Sequence, residues 1–342
     1  MRVLLATSTL LFFALSATMP AEGAETSSLK RQEIADPDGA GALTWRSLAP
    51  RGTPTARHES SFAEAGGKGY LFGGRGDRPL EIFDAATGAW TIGAKPPLEI
   101  HHAQAVGFAG RVFVVSALTG PFPEEASLRH VLIYDPRTDR WSNGPEIPKE
   151  RRRGASGVVT HQGLIYVIGG NTRGHNSGYV PWLDVFDPAT GTWTPLKDAP
   201  RARDHFQAVA HDGKLYAGGG RRSSYDTGQP LALTISELDI YDIGSGTWST
   251  ATAPLPTKRA GTAAALVGGS VVVIGGESDA HVQAHAEVEA YDIAHAQWRT
   301  LPALPVGRHG TQAAVISGDL HLVAGSANRG GGPELNDHWV LD

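Results

Sequence analysis

The chain has 342 residues, with 43 Gly, 22 Pro and a formal net charge of −5. That Gly and Pro content suits a turn-rich all-β protein better than a helical one, and the mild acidity excludes the basic excess that nucleic acid binding needs. With no cysteine, disulfides, thiolate nucleophiles, Cys-ligated metals and an N-terminal lipidated Cys are excluded as well.

The first element reads as an export signal. Arg2 is followed by an apolar run from Val3 to Ala17 and by the small residues Ala21, Gly23 and Ala24. That order predicts a cleavable signal peptide over residues 1–24, and so a secreted or periplasmic protein. The run is short for a membrane span, and no later stretch reaches 18 apolar residues, so no membrane attachment is expected after cleavage. Residues 25–42 are polar and turn-rich and read as a flexible lead-in.

From residue 43 to 342 the chain repeats. Trp45, Trp90, Trp141, Trp193, Trp248 and Trp298 recur about every fifty residues. Asp84, Asp135, Asp187, Asp242 and Asp292 each lie six residues before a Trp and directly after Phe83, Tyr134, Phe186, Tyr241 or Tyr291. Arg57, Arg153, Arg203 and Arg259 each lie sixteen residues before a glycine pair: Gly73–Gly74, Gly169–Gly170, Gly219–Gly220 and Gly275–Gly276. Arg308 keeps the spacing to Ala324–Gly325, whereas one repeat has Ile100 for the Arg and Ser116–Ala117 for the glycines. Each repeat predicts four short strands: a small apolar strand a, a bulkier strand b ending on the glycines, a strand c ending on the aromatic-Asp pair, and a strand d starting at the Trp. Four-stranded units of this period are β-propeller blades. Small strand a residues fit the crowded axis, and the Trp of strand d fills the wider gap between blades. The last repeat ends without a strand d, and "LTWRSLAP" is a strand d with nothing before it. A six-bladed propeller is therefore expected, closed by the segment around Trp45 completing the last blade.

The diglycine, the aromatic-Asp pair six residues before Trp and the Arg opening each repeat resemble the kelch repeat, over about residues 43–342. Kelch proteins include cytoplasmic substrate adaptors, fungal galactose oxidases, plant specifier proteins and bacterial periplasmic sialic acid mutarotases, so the resemblance implies a fold more than an activity. Galactose oxidase chemistry needs a Tyr–Cys crosslink, which this chain cannot form. The adaptors carry a BTB domain where this chain has a signal peptide. The specifier iron motif, Glu-x3-Asp-x3-His, has only an approximate counterpart in "ESDAHVQAHAE", with Glu277, Asp279, His281 and His285 at other spacings. The exported mutarotases remain compatible in size, compartment and repeat.

Up-and-down strand order gathers the b-to-c loops and the starts of strand a on one face. The b-to-c loops vary in length while the Asp-to-Trp turns do not, so this face is the expected working surface. It collects Arg57, Arg153, Arg203, Arg259 and Arg308, with His58, His101, His102, His205 and His309 beside them, and Arg75, Arg173, His175, Asn176, Arg221, Arg222, Tyr225 and Arg329 in the loops. A cationic mouth implies an anionic small ligand, such as a carboxylated sugar, or an acidic peptide or protein partner. The ligand residues would be Arg57, Arg153, Arg203, Arg259, Arg308, His58, His102 and Tyr225. Alternatively, the recurring arginines bond backbone carbonyls and fix the ring. If the protein is an enzyme, an isomerase acting on acidic sugars in the manner of a mutarotase is implied by the resemblance, with His205, Asp204 and His309 as acid and base. No cofactor is expected. His281, His285 and Glu287 are the residues of metal-ligating type that lie close together, and a solvated polar loop is the alternative for them. "RGD" at residues 75–77 reads as a turn, and no Gly-x-Ser-x-Gly nucleophile motif occurs.

Overall fold

A computed structural model describes residues 43–342. The expected signal peptide (1–24) and lead-in (25–42) lie outside the described residues. The described part is built of antiparallel strands, and among the described residues no helix is long and apolar enough to cross a membrane.

Six four-stranded sheets follow one another along the chain. Blade 1 comprises Ser60–Ala65, Lys68–Gly73, Leu80–Asp84 and Ala89–Gly93; blade 2, Val106–Phe108, Arg111–Val114, His130–Asp135 and Arg140–Glu146. Blade 3 comprises Gly157–His161, Leu164–Ile168, Leu183–Asp187 and Thr192–Pro195; blade 4, Val209–His211, Lys214–Ala217, Asp239–Asp242 and Thr247–Thr250. Blade 5 comprises Ala263–Val267, Ser270–Ile274, Val288–Asp292 and Gln297–Leu301; blade 6, Ala313–Ile316, Asp319–Val323 and His338–Leu341. Strand Trp45–Leu48 completes blade 6, with Trp45 opposite Leu341 and Leu48 opposite His338. The ring thus closes as its repeat pattern predicts. Each strand a packs on the strands a of both neighbouring blades, which is why this strand is built from small residues.

The aromatic-Asp-x5-Trp unit is a hairpin device. The Asp carboxylate caps the c-to-d turn: Asp84 accepts from the Ala86 and Thr87 N–H groups, Asp187 from Ala189, and Asp292 from Ala294 and His295. A carboxylate tied to its own turn holds that turn at one length. The preceding aromatic packs across the hairpin on the Trp, with ring centroids 5.3 Å apart for Phe83–Trp90 and 4.9 Å for Phe186–Trp193. The tryptophans are only half-buried. They also act as links between blades: the indole N–H donates to a carbonyl of the preceding blade's exit in Trp45 (Pro302 O), Trp141 (Ala94 O), Trp248 (Lys197 O) and Trp298 (Ala253 O).

The recurring arginines lie inside the blades, 0–2% exposed. Arg259 shows the pattern: it donates to the carbonyls of Gly275, Thr257, Val273 and Glu287 and pairs with Glu289 at 2.5 Å. The partners of the others are Glu81 for Arg57, Asp184 for Arg153, Asp239 for Arg203 and Asp337 for Arg308. Glu81, Asp184, Asp239 and Glu289 all stand three residues before the Asp of the aromatic-Asp pair. In blade 2 that position is Leu132, opposite the one repeat where Ile100 replaces the Arg, and both join the apolar core. Blade 2 has exchanged a buried ion pair for a hydrophobic one, which proteins tolerate well when both partners change together.

At the ring closure His338 is 2% exposed, packed edge-on to Phe83 at 4.5 Å, with His321 Nδ1 2.9 Å from its Nε2. Burial, together with the neighbouring His321 and against the pull of Asp337, lowers its pKa to about 3.

Two predictions follow from this architecture. Arg259→Ile should cost about 3–5 kcal/mol, because Glu289 is left buried without its cation. The Arg259→Ile, Glu289→Leu double variant should cost clearly less than the sum of the two single changes in urea unfolding; simple additivity would refute the exchange seen in blade 2. The second concerns acid. An unfolded histidine protonates near pH 6.5 and folded His338 only near pH 3, so stability is complete above about pH 6.5 and declines as pH falls between these values. Thermal unfolding should show this decline, and His338→Phe should flatten it; parallel curves for the two proteins would remove His338 as its source.

Candidate functional site

The mouth of the propeller is built on one backbone position. Two residues after the repeat Arg, or after Ile100, stand Glu59, His102, Ala155, His205, Gly261 and Gly310, and all six have φ between 53° and 67°. They join head to tail around the axis. The His102 N–H donates to Glu59 O at 3.1 Å, Ala155 to His102 at 2.8 Å, His205 to Ala155 at 2.8 Å, Gly261 to His205 at 2.6 Å and Gly310 to Gly261 at 3.0 Å. Ser60 N–H closes the circle on Gly310 O at 3.1 Å. Glycine adopts this conformation freely, as in blades 5 and 6; other residues bear roughly 1–3 kcal/mol of strain. Three of the four non-glycine residues, Glu59, His102 and His205, carry titratable side chains, and strain kept in place around such groups is a mark of function.

Just beneath this circle the axis is plugged. Gln104, Gln207 and Gln312, from blades 2, 4 and 6, cross the channel. Each amide oxygen accepts two backbone N–H groups of the two following blades: Val158 and Ala208, Ala264 and Ala313, Phe62 and Ala105. Each amide nitrogen donates to the carbonyl of Ala208, Ala313 or Ala105. The cavity left between the circle and the plug is about 50 Å³, room for a few waters and no more. A larger groove of about 650 Å³ lies between blades 6 and 1 on the opposite face, along the turns around Gly66, Gly88 and Ser317. Its titratable lining, Arg46, Lys68, Asp84, Asp319 and His321, is mostly exposed and includes the Lys68–Asp84 pair, whereas the mouth gathers buried imidazoles and carboxylates, so the mouth is the better candidate.

On the mouth side, titratable side chains converge. The ring centroids of His102, His175 and His205 form a triangle with 4.8 Å sides. His205 Nδ1 donates to Asp204 Oδ1 at 2.5 Å, and Asp204 is held in turn by the Ser223 hydroxyl at 2.7 Å and the Ser223 N–H at 3.0 Å. His175 Nδ1 donates to Glu125 Oε1 at 2.8 Å, and Arg75 also binds Glu125. His102 Nε2 is 2.8 Å from Glu59 Oε2 but not aligned for a hydrogen bond. Arg221 pairs with Glu277, whose second oxygen is 3.6 Å from His309 Nε2. Burial holds His102 and His205 below the usual histidine range. Against the opposing effect of burial, His309 and Arg221 hold Glu277 down at about 2, and His175 with Arg75 keep Glu125 well below the usual carboxylate range. The basin therefore sets the carboxylates of Glu125 and Glu277, held low, beside His102 and His205, whose imidazoles burial keeps neutral at neutral pH. Above it, Phe122 and Tyr225 are 49% and 47% exposed, with rings 5.2 Å apart and Phe122 5.1 Å from His175.

The residues expected at the mouth divide sharply. Arg57, Arg153, Arg203, Arg259 and Arg308 are not at the surface: their guanidiniums are spent on carbonyls and on strand c carboxylates of their own blades. Two of the mouth cations, Arg75 and Arg221, are paired with Glu125 and Glu277, while Arg173 and Arg222 stay exposed. The cationic grip on an anion expected from the repeat arginines is therefore corrected. Asp204, His205 and His102 do come together, and Tyr225 reaches the rim. His58 is bound to Glu334 at 2.8 Å, and His309 Nε2 lies 2.9 Å from Asn328 O, to one side of the triangle. His281, His285 and Glu287 are neighbours, but His285 is engaged through both nitrogens, by Ser278 at 2.8 Å and Glu287 at 3.1 Å. Glu59, Glu125, Ser223 and Phe122 went unread in the sequence. Glu59 had a signal, the same offset from its Arg that places His205; Glu125 and Phe122 lie in a loop without repeat register.

Residues 119–325 match the KLHDC2/KLHL20/DRC7 Kelch-repeats domain. Kelch-like protein terF of Aspergillus terreus is 27% identical over 255 residues, 72% of this chain and 54% of terF. Kelch-like protein 40 of Mus musculus is 30% identical over 152 residues, 44% of this chain and 22% of that protein. The chain thus spans about half the length, or less, of these curated relatives. A solved structure titled "Structure of YjhT" superposes with a TM-score of 0.72 over 86% of this chain and 97% of that one, at 16% identity, a likeness of fold alone. With the family matched over more than half of its length and six blades of the matching architecture, the chain belongs to the kelch-repeat proteins.

Proposed function

We propose that this is an exported kelch propeller that binds a small polyhydroxylated ligand, such as a sugar, at the mouth. The observation that carries the reading is the placement of Glu59, His102 and His205 at strained circle positions where glycine serves elsewhere. Carboxylates and neutral imidazoles offer acceptors and donors suited to hydroxyl groups, and Phe122 with Tyr225 offers apolar faces for a ring. The plugged axis favours a ligand seated on the circle rather than in the channel. The repeat arginines, Arg75 and Arg221 are engaged with carboxylates, whereas Arg173, Arg222 and Arg329 have no carboxylate partner among the ion pairs of the described residues, so neutral and carboxylated sugars are both candidates.

A second reading, an isomerase acting at an anomeric centre, is favoured by one arrangement. His205 is oriented by Asp204, and Asp204 by Ser223, as a general base is oriented. Proton transfer to and from the sugar hydroxyl would fall to His205.

A thermal-shift and calorimetric screen with neutral and carboxylated sugars should find a stabilising ligand, and Tyr225→Ala should weaken it about tenfold through lost stacking. A ligand bound equally by both proteins, or none bound at all, defeats the reading. For the isomerase, wild type should accelerate anomerisation in an NMR exchange assay and His205→Asn should lose about 10²–10⁴ of that rate; no acceleration by wild type removes this reading. Export is tested by N-terminal sequencing of protein recovered from the periplasm or medium, expected to begin near residue 25; a cytoplasmic chain retaining its first residues would overturn it.

A further inference from the structure

We propose that His102, His175 and His205 form a three-histidine site for a zinc-class divalent cation. The site shares the mouth with the ligand reading above and stands without it.

Hydrogen bonding to carboxylates decides which nitrogens are free. Ionised Asp204 and Glu125 can only accept, so the hydrogens of His205 and His175 sit on Nδ1. The two Nε2 atoms are therefore the ones turned towards each other, 3.1 Å apart. A contact of that length between two ring nitrogens needs a shared proton or a bridging cation, and a metal ion is the occupant proposed. Tetrahedral zinc with bonds of about 2.0–2.1 Å separates its nitrogen ligands by about 3.3 Å, close to the spacing present. The third imidazole is in place: the ligand atoms of His102, His175 and His205 all lie within 4.8 Å of one another. His102 Nε2 is buried without an aligned hydrogen bond but lies 2.8 Å from Glu59 Oε2, and its Nδ1 is 2.7 Å from His101 Nδ1, so coordination by His102 requires one of these contacts to give way.

The supporting groups are of the kind that metal-bound histidines use. A carboxylate on the far nitrogen fixes tautomer and ring orientation and raises ligand basicity. Asp204 is fixed by Ser223, and Glu125 by Arg75 and by the His175 N–H at 2.9 Å. Three imidazoles leave a fourth position, the arrangement of zinc sites that bind water or a substrate oxygen. His281, His285 and Glu287 make a useful contrast, since His285 has no free nitrogen.

The test uses the metal alone. Protein stripped with chelator should take up one equivalent of Zn²⁺ by calorimetry, gain thermal stability on binding, and give with Co²⁺ the intense visible bands of a low-coordinate site. His175→Ala, the variant of the most exposed of the three rings, should abolish stoichiometric uptake, whereas His281→Ala should retain it. Asp204→Asn should weaken binding about 10–100-fold, the loss expected when a carboxylate behind a metal-bound histidine is removed. Failure of wild type to bind Zn²⁺, Co²⁺, Mn²⁺ or Fe²⁺ stoichiometrically overturns the proposal even if a sugar binds. Uptake that survives in His175→Ala, or is lost in His281→Ala, overturns it as well. The wild-type measurement decides should a variant fail to fold.

Discussion

The ring depends on one contact repeated from blade to blade: a glycine N–H at the end of strand b meeting the backbone carbonyl of the residue that opens the next blade. Gly74 donates to Ile100 O, Gly170 to Arg203 O, Gly220 to Arg259 O, Gly276 to Arg308 O and Gly325 to Arg57 O, at 2.7–2.9 Å. The first glycine of the pair is held against the same carbonyl; a Cβ on Gly169 would lie 2.4 Å from Arg203 O and one on Gly275 2.3 Å from Arg308 O. At Gly169 and Gly275 a Cβ would need the carbonyl to shift, and the backbone is left-handed besides; in blade 6 Ala324 takes the same left-handed conformation. Where blade 2 lacks glycines, the Ser116 hydroxyl donates to Arg153 O at 2.9 Å and keeps the contact by other means. The repeat Arg joins both halves of the device. Its carbonyl receives the previous blade, and its guanidinium ties strand b to strand c of its own.

That contact also sets the mouth. With the carbonyl of the opening residue turned towards the previous blade, the chain must reverse before it enters strand a. It does so through the left-handed residues of the axial circle. The glutamine plug then satisfies strand a N–H groups that face the axis and have no sheet partner, since strand a is the inner edge of every blade. Buried backbone donors left unpaired are costly. Three amides spanning two blades each meet the need with half as many side chains as blades. The site is the outer surface of this closure.

Much of this was legible from the sequence, for a physical reason. Blade number, strand order and ring closure rest on contacts that recur, and recurrence leaves a period. Gly169–Gly170 and Asp187-x5-Trp193 could be read because each is copied around the ring. The arginines were visible on the same ground, yet their role was not, because their carboxylate partners are split between Asp and Glu and shifted in blade 6. Only the joint absence of Arg and acid in Ile100 and Leu132 betrays the pair. Glu125, Ser223 and Phe122 had no period to reveal them. They come from b-to-c loops of unequal length, and their neighbours are fixed by the fold rather than by spacing.

The same logic separates architecture from chemistry. A feature needed by every blade will be repeated in every blade, so a fivefold arginine is poor ground for a ligand site and good ground for a fold. A ligand or an ion breaks the symmetry of the ring. Its residues must therefore be found where the repeat is constant in backbone and unequal in side chain. The circle of left-handed residues meets that condition: one conformation in six blades, filled by Gly, Ala, Glu or His. Two of its histidines meet His175, a loop residue from the blade between them, and two of the three rings are backed by a carboxylate. Glycine in blades 5 and 6 makes the same hydrogen-bonded circle without strain, and Ala155 takes the strained form with no polar side chain. What sets Glu59, His102 and His205 apart is therefore that their side chains converge, and that convergence is what supports the proposed binding at the mouth.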